Sequence, residues 1–301
     1  MNDTLENSLY FDFDDTASPT RTATIGAAAF GGPDNDTVEG DDGANQLFGR
    51  GGSDVVYGRG GNDTLFGGIG IADPNDGNDT IYGGNGADLI YGNSGDDILY
   101  GGNAVADAEG SSDTIYGGYG RDLIYGNGGN DWLYGGGAAA DPADLNDTIY
   151  GGKGADYILG NGGNDVLYGG GAVADPGDNN DTIYGGVGDD VIYGNGGDDL
   201  IVGGPGNDQL HGGVGNDTYQ FGHGDGINII QHFEGAGQSG GDVIRLISDI
   251  NGSGIRNGQD AVNAITYGGD GVAIIMLGGG NLITVEGLNG AQLTASDFSF
   301  Y

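Results

Sequence analysis

The residues best placed to do chemistry here are aspartates on a fixed spacing. Asp stands at 36, 54, 63, 79, 88, 97, 113, 122, 131, 147, 156, 165, 181, 190, 199, 208 and 217, and with Asn45 counted in, successive members are nine or sixteen residues apart. Each follows a run rich in glycine, such as Gly83-Gly84-Asn85-Gly86-Ala87-Asp88. A carboxylate beside a turn of exposed backbone carbonyls is a set of hard oxygen donors. That set suits Ca²⁺, which takes six to eight oxygens in flexible geometry, better than Mg²⁺ or a soft metal.

The aspartates belong to a nine-residue rule, Gly-Gly-x-Gly-x-Asp-x-U-x with U aliphatic. Fourteen nonapeptides start at 31, 40, 49, 58, 83, 92, 117, 126, 151, 160, 185, 194, 203 and 212, and four sixteen-residue units start at 67, 101, 135 and 169. The long units recur every 34 residues, so residues 67–202 are four copies of a superrepeat. Position U is aliphatic from Val38 to Leu210 and is Tyr219 in the last unit. One apolar residue per unit with outward neighbours describes a short strand with one inward side chain. A single unit cannot bury that residue, but a stacked coil can. Two units per coil place successive strands on opposite walls, and nine coils at ~4.8 Å strand spacing span roughly 43 Å. The expected fold is all-β: a right-handed parallel β-roll (solenoid) over 31–221, after an N-terminal cap segment at 1–30 and before a β-rich C-terminal cap at 222–301. Stacking lines the carboxylates up in two edge rows. Like charges about 5 Å apart repel by on the order of 1–3 kcal/mol per pair, so a cation between turns is needed.

The repeat resembles the RTX (repeats-in-toxin) nonapeptide of type I secreted Gram-negative exoproteins, over roughly Gly31 to Gln220. The resemblance implies that each position-six Asp and the turn carbonyls bind Ca²⁺ between one unit and the next but one. The metal residues it implies are the seventeen aspartates above, with the turn residues Gly84, Gly86, Gly118, Gly120, Gly152, Gly154, Gly186, Gly188, Gly204 and Gly206. The long units depart from the pattern. Their loops hold Asp73, Asp107, Asp141 and Asp175, are read as solvated loops, and are expected to leave alternate edges of the roll. Residues 222–301 resemble the β-rich cap of such proteins, with strand-like runs at 227–233, 242–247, 271–277 and 281–288 and a hairpin turn at Gly268–Gly271. Leu293 to Tyr301 is similar to their uncleaved secretion signal.

Composition excludes several function classes. The 301 residues include 72 Gly and 45 acids (five Glu, 40 Asp) against seven Lys plus Arg, a net charge of −38. A phosphate backbone or an anionic membrane needs basic surface, which is missing. There is no Cys for disulfide, thiolate or zinc–sulfur chemistry. No apolar run is long enough to span a bilayer. Met1 to Leu9 lacks the basic and apolar regions of a secretory signal peptide. No catalytic set emerges: there is no His-Glu-x-x-His, and Gly237-Gln238-Ser239-Gly240-Gly241 spells a nucleophile elbow in a polar loop rather than between strand and helix. No catalytic or organic-cofactor residue is expected, and neither is an enzyme.

Position nine is Tyr at 57, 82, 91, 100, 116, 125, 134, 150, 168, 184 and 193. These should form one exposed ladder per face, read first as cross-strand stacking that stiffens a flat sheet. The functional expectation is a secreted, non-enzymatic protein that folds on binding several Ca²⁺ ions outside the cell. It would serve there as a structural, surface-layer or matrix component by self-association. The alternative is a calcium-dependent carbohydrate-binding module using the Tyr ladders. Expected partners are calcium, the type I secretion machinery, and either a second copy or an extracellular polysaccharide, with no nucleic acid and no membrane span.

Overall fold

The computed structural model describes residues 20–22, 28–69, 74–102, 110–136, 145–170, 179–235 and 241–301. The inserts with Asp73, Asp107, Asp141 and Asp175, most of the 237–241 loop and most of the segment before Ala28 lie outside the described residues.

The chain winds as an all-β parallel roll. Among the described residues, alternate strands enter two sheets, one of 14 strands and one of 12, and as far as Val243–Leu246 neighbours within each sheet are next but one in sequence. Every pairing up to the last hairpin is parallel, and U stands over U. Val38, Val56, Ile81, Leu99 and Ile124 stack in one sheet, and Leu47, Leu65, Ile90, Ile115 and Leu133 in the other. All 18 U residues, Tyr219 included, are fully buried at 0 % exposure. The core is therefore two facing columns, one side chain per unit, and its burial is the main apolar contribution to folding.

From Thr80 to Val202, strand length follows the turn that comes next. Where a compact turn follows, as at Thr80–Asn85, Thr114–Tyr119 and Thr148–Lys153, six residues pair and the strand runs into the next unit's Gly-Gly. Ile98–Tyr100, Trp132–Tyr134 and Val166–Tyr168 stop at three residues because a long unit follows. Leu200–Val202 also stops at three. It precedes Gly203-Gly204-Pro205, and proline has no N–H to continue the ladder.

Glycine at position four is dictated by backbone shape. Gly154 has φ +127°, and a methyl on it would lie 1.7 Å from the Gly129 carbonyl oxygen one coil below. Position two also needs positive φ, and there Asn93, Asn127, Asn161 and Asn195, or Arg50 and Arg59, stand in for glycine.

The two sheets pass both expected boundaries, at 30 and 221. Thr20–Thr22 and Ala28–Phe30 already pair with Thr37–Glu39 and Gln46–Arg50. After the last repeat, Ile227–Gln231 and Val243–Leu246 continue the parallel stack, and Asn281–Val285 and Phe298–Phe300 add one strand to each sheet. Turn 268–271 does make a hairpin, but not between two of the expected runs: it joins Ile265–Tyr267, a strand outside them, to Ala273–Gly278. A short helix, Gly258–Asn263, was not read from sequence. Its start is marked by Asn257, whose side chain accepts from the Gln259 and Asp260 amides.

Expected outcomes follow for the calcium-loaded protein. Ile124→Ala should cost about 2–5 kcal/mol and Ile124→Val about 0.5–1.5 in urea unfolding. Gly154→Ala should be worse than either, because the backbone cannot move away from Gly129 without opening the coil. Equal midpoints for Gly154→Ala and wild type would contradict this account of the turn.

Candidate metal centre: two rows of buried carboxylates

The roll gathers the position-six residues into two files, one along each rim. The first runs Asp36, Asp54, Asp79, Asp97, Asp122, Asp147, Asp165, Asp190, Asp208. Each backbone N–H in it donates to the Oδ1 of the next Asp, at 2.7 to 3.0 Å. The second runs Asn45, Asp63, Asp88, Asp113, Asp131, Asp156, Asp181, Asp199, Asp217 by the same bond, at 2.7 to 3.0 Å. Apart from Asp36, which leads its row and is partly exposed, every aspartate of the two rows is buried, as is Asn45.

The other oxygen is treated differently. Oδ2 of Asp54, Asp63, Asp79, Asp88, Asp97, Asp131, Asp190, Asp208 and Asp217 is buried with no hydrogen-bond partner. It lies against the first glycine of its own unit. A methyl on Gly58 would sit 2.4 Å from Asp63 Oδ2 and 2.4 Å from the Gly83 carbonyl oxygen one coil on. Position one is glycine because the carboxylate occupies the space a side chain would need.

The turn glycines fall between coils in register with the rows. Gly84, Gly118, Gly152 and Gly186 stand over the carbonyl oxygens of Arg59, Asn93, Asn127 and Asn161, at 2.1 to 2.2 Å from where a Cβ would be, and Gly204 stands over that of Gly186 at 2.2 Å. Gly86, Gly120, Gly154, Gly188 and Gly206 cover the carbonyls of Gly61, Gly95, Gly129, Gly163 and Gly188 in the same way, at 1.6 to 1.9 Å. Each rim is thus a file of carboxylates flanked by carbonyls. Among the described residues no three His, Cys, Asp or Glu side chains cluster to hold a metal. Each coil contributes one carboxylate per rim, so backbone oxygens must complete any coordination shell. Orphaned buried carboxylate oxygens and a carbonyl-lined gap that a Cβ would fill both fit a hard divalent cation.

Electrostatics show what these rows lack. Burial pushes the carboxyls of Asp63 and Asp190 up to about 6, those of Asp54, Asp113 and Asp217 to about 7, and those of Asp79, Asp88 and Asp208 to about 8. Burial, then the charge of Asp156, takes Asp131 to about 9. Asp97 is raised by burial and by Asp122 beside it. These groups resist ionisation because burial takes the charged form out of water.

Sequence reasoning stopped the rows too early. Asp208 N–H donates to Asn228 Oδ1 at 2.9 Å, and Asp217 N–H donates to Asp242 Oδ1 at 3.0 Å. Asn228-Ile229-Ile230 and Asp242-Val243-Ile244 keep the spacing of Asp-x-U behind an incomplete Gly-Gly-x-Gly run, with Gly224 and Gly226 before the first and Gly237 and Gly240 before the second. That spacing was the available signal. Position five was missed as well. Its Asn and Asp side chains accept from the position-five N–H one coil on, opposite in direction to the Asp rows: Asn146 from Asn164, Asn164 from Asp189, Asp189 from Asn207, at 2.8 to 3.0 Å.

The family model described as the RTX calcium-binding nonapeptide repeat matches residues 30–65, 73–104, 107–139, 143–172, 175–210, 184–219 and 193–227, together more than half of the chain. The chain belongs to this RTX repeat family. Its repeats are calcium-binding motifs, and the two rows are where this RTX chain places the repeat's Asp. No curated protein matches the chain. Among solved structures, the chain is similar to the extracellular lipase LipA from Serratia marcescens, at 16 % identity and a TM-score of 0.20. The alignment covers 91 % of this chain and 40 % of the lipase chain.

A pH dependence follows from the raised carboxyls. Without metal, the wound RTX roll keeps them protonated while the unwound chain ionises near pH 4. Stability is then fully present below about pH 4 and is lost as pH rises through the folded-state values of about 6 to about 9. Circular dichroism of the chelated protein should show β signal at pH 4 and coil at pH 9; the reverse order would overturn the assignment of the rows as buried acids.

Proposed function

We propose that this protein is a secreted, non-enzymatic calcium-binding roll that folds outside the cell and acts there as a structural element. The observation that carries the reading is the pair of buried carboxylate rows, in which nine carboxylates keep an oxygen with no hydrogen-bond partner. The proposed ligands are the seventeen position-six aspartates, Asp36 to Asp217, and the turn carbonyls at positions two and four, among them those of Gly84, Gly86, Gly118, Gly120, Gly152, Gly154, Gly186, Gly188, Gly204 and Gly206. They would hold several ions, interleaved between coils. Bound Ca²⁺ supplies the positive charge that lets adjacent carboxylates remain ionised inside the rim.

The chain's own residues account for the coupling to folding. In the unwound state, −38 of charge keeps the segments apart. Winding brings the Oδ1 of the row aspartates onto the amide one coil away and strands Oδ2 at nine of them, from Asp54 to Asp217, so the rows close only when those oxygens are neutralised. Scarce calcium inside a cell would keep the chain unwound for export by a type I system. Millimolar calcium outside suits weak extracellular modules. Leu293 to Tyr301, which ends in the Phe298–Phe300 strand, is the proposed export signal. No helix among the described residues is long and apolar enough to cross a membrane.

The structural role is supported by two flat sheets stiffened by ring ladders. On the 14-stranded sheet Tyr57, Tyr82, Tyr100, Tyr125, Tyr150, Tyr168, Tyr193 and His211 stack with centroids 4.4 to 5.0 Å apart. On the 12-stranded sheet Phe30, Phe48, Phe66, Tyr91, Tyr116 and Tyr134 stack at 4.6 to 5.1 Å. Stacked rings cover each other's faces and show solvent only their edges. A sugar needs a ring face, so the unbroken ladders favour stiffening and self-association over carbohydrate binding.

Calcium titration at pH 7.5 should convert coil to β signal cooperatively. Asp131→Asn keeps the Oδ1 acceptor and drops the charge, as Asn45 does naturally. It should raise the β content of chelated protein and weaken the calcium response severalfold. Gel filtration and electron microscopy should show oligomers or sheets with calcium and none with chelator. A calcium-loaded protein that stays monomeric at high concentration would remove the self-association role while leaving the calcium-folding role intact.

A further inference from the structure

The aromatic ladder of the 12-stranded sheet breaks in one place. In the unit starting at Gly151, tyrosine has moved from position nine to position seven: Tyr157 stands where its neighbours carry Trp132 and Thr182, and Leu159 stands between Tyr134 and Tyr184. Tyr157 leans towards the gap, its centroid 6.3 Å from Tyr134 at 50° and 5.6 Å from Tyr184 at 44°. On its other side it stacks on Trp132 at 5.0 Å and 26°.

Trp132 is the protein's sole tryptophan and is 53 % exposed. One indole face is taken by Tyr157. On the other side the register neighbour is Thr114, with Leu89 beyond it. A threonine side chain is too short to cover an indole one strand away, about 4.8 Å. Unlike the rings inside a ladder, which have a ring on both sides, Trp132 has a ring on one side only and a hydroxyl-bearing residue in register on the other. Burying so large a ring is strongly favourable, so its exposure in the middle of a flat sheet calls for an occupant.

Charge selects the occupant. Between Leu89–Tyr91 and Leu200–Val202 the outward positions of this sheet carry no charged residue, since the acids lie on the rims. A cationic ligand finds no carboxylate to pair with on this face, and an anionic polymer meets a chain of −38. A neutral pyranose offers an apolar C–H face for the indole and hydroxyls for Thr114. We propose that Trp132 and Thr114 form a binding site for a neutral hexose polysaccharide on the 12-stranded face. The site rests on the calcium-wound roll proposed above, because only winding brings residues 89, 114, 132 and 157 side by side.

The single tryptophan makes the test direct. Calcium-loaded full-length protein is titrated with neutral gluco-, manno- and galacto-hexasaccharides and with an anionic oligouronate, following tryptophan emission, with calorimetry in parallel. Saturable change with at least one neutral sugar and none with the oligouronate is expected. Trp132→Ala should weaken the calorimetric affinity at least about tenfold. Thr114→Tyr should do the same while leaving the fold intact, because it lays a ring over the open indole face and extends the ladder. Tyr125→Ala, on the opposite sheet, should leave binding unchanged. No response to any neutral sugar up to about 10 mM, from protein that circular dichroism shows to be wound, overturns the site without touching the calcium reading. Unchanged affinity in Thr114→Tyr also overturns it. So does emission that shifts with protein concentration alone alongside a dimer in sedimentation, which would make this face a self-contact. Protein that stays unwound in calcium overturns both this site and the reading beneath it.

Discussion

The structure depends on how a carboxylate can be buried once per coil. The rim satisfies half of each group: Oδ1 takes the amide of the Asp one coil before it, so each row is a continuous chain of hydrogen bonds. The same geometry turns Oδ2 into the turn, where no donor of the protein reaches it at nine positions from Asp54 to Asp217. Glycine at position one follows from that oxygen, and glycine at positions two and four from the carbonyls stacked beneath. A core one side chain deep holds such a rim together only if the charge on it is cancelled, by a proton or by a cation.

Strict register has a second consequence, on the outside. Because parallel coils place position nine over position nine, any aromatic there meets its copy at strand spacing and stacks. Phenylalanine serves as well as tyrosine at 30, 48 and 66, and His211 ends the other ladder. A perfect ladder is mechanically useful and chemically closed, since its faces are spent on itself. Chemistry is left to the irregular unit, where Tyr157 and Leu159 exchange roles and the indole of Trp132 is left open on one side.

Both ends of the roll show how far a pattern can be followed. The Asp-x-U spacing persists at Asn228 and Asp242 after the full Gly-Gly-x-Gly run is lost, and the two sheets persist with it. Tyr219 occupies a U position and stays fully buried, with its hydroxyl accepting the Gly212 amide at 2.7 Å. The stack closes with an antiparallel hairpin and a six-residue helix in place of a further coil. None of that closure is periodic, so only local signals, such as Asn257 before the helix, could announce it.

The repeat alone settled the coil period, the inward residues, the two files of aspartate and the preference for hard cations. A nine-residue rule with obligatory glycine admits few backbone paths, and stacking identical units leaves one register. Tertiary structure decided what depends on distances between coils. It set which carboxylate oxygen is satisfied and which is stranded, and how far burial lifts each acid. It decided that the ring ladders hide their own faces, and that Tyr157 stacks on one side of Trp132 while Thr114 stands in register on the other. These outcomes arise from contacts between residues 18 or 25 apart in the chain, whose spacing only the folded coil sets.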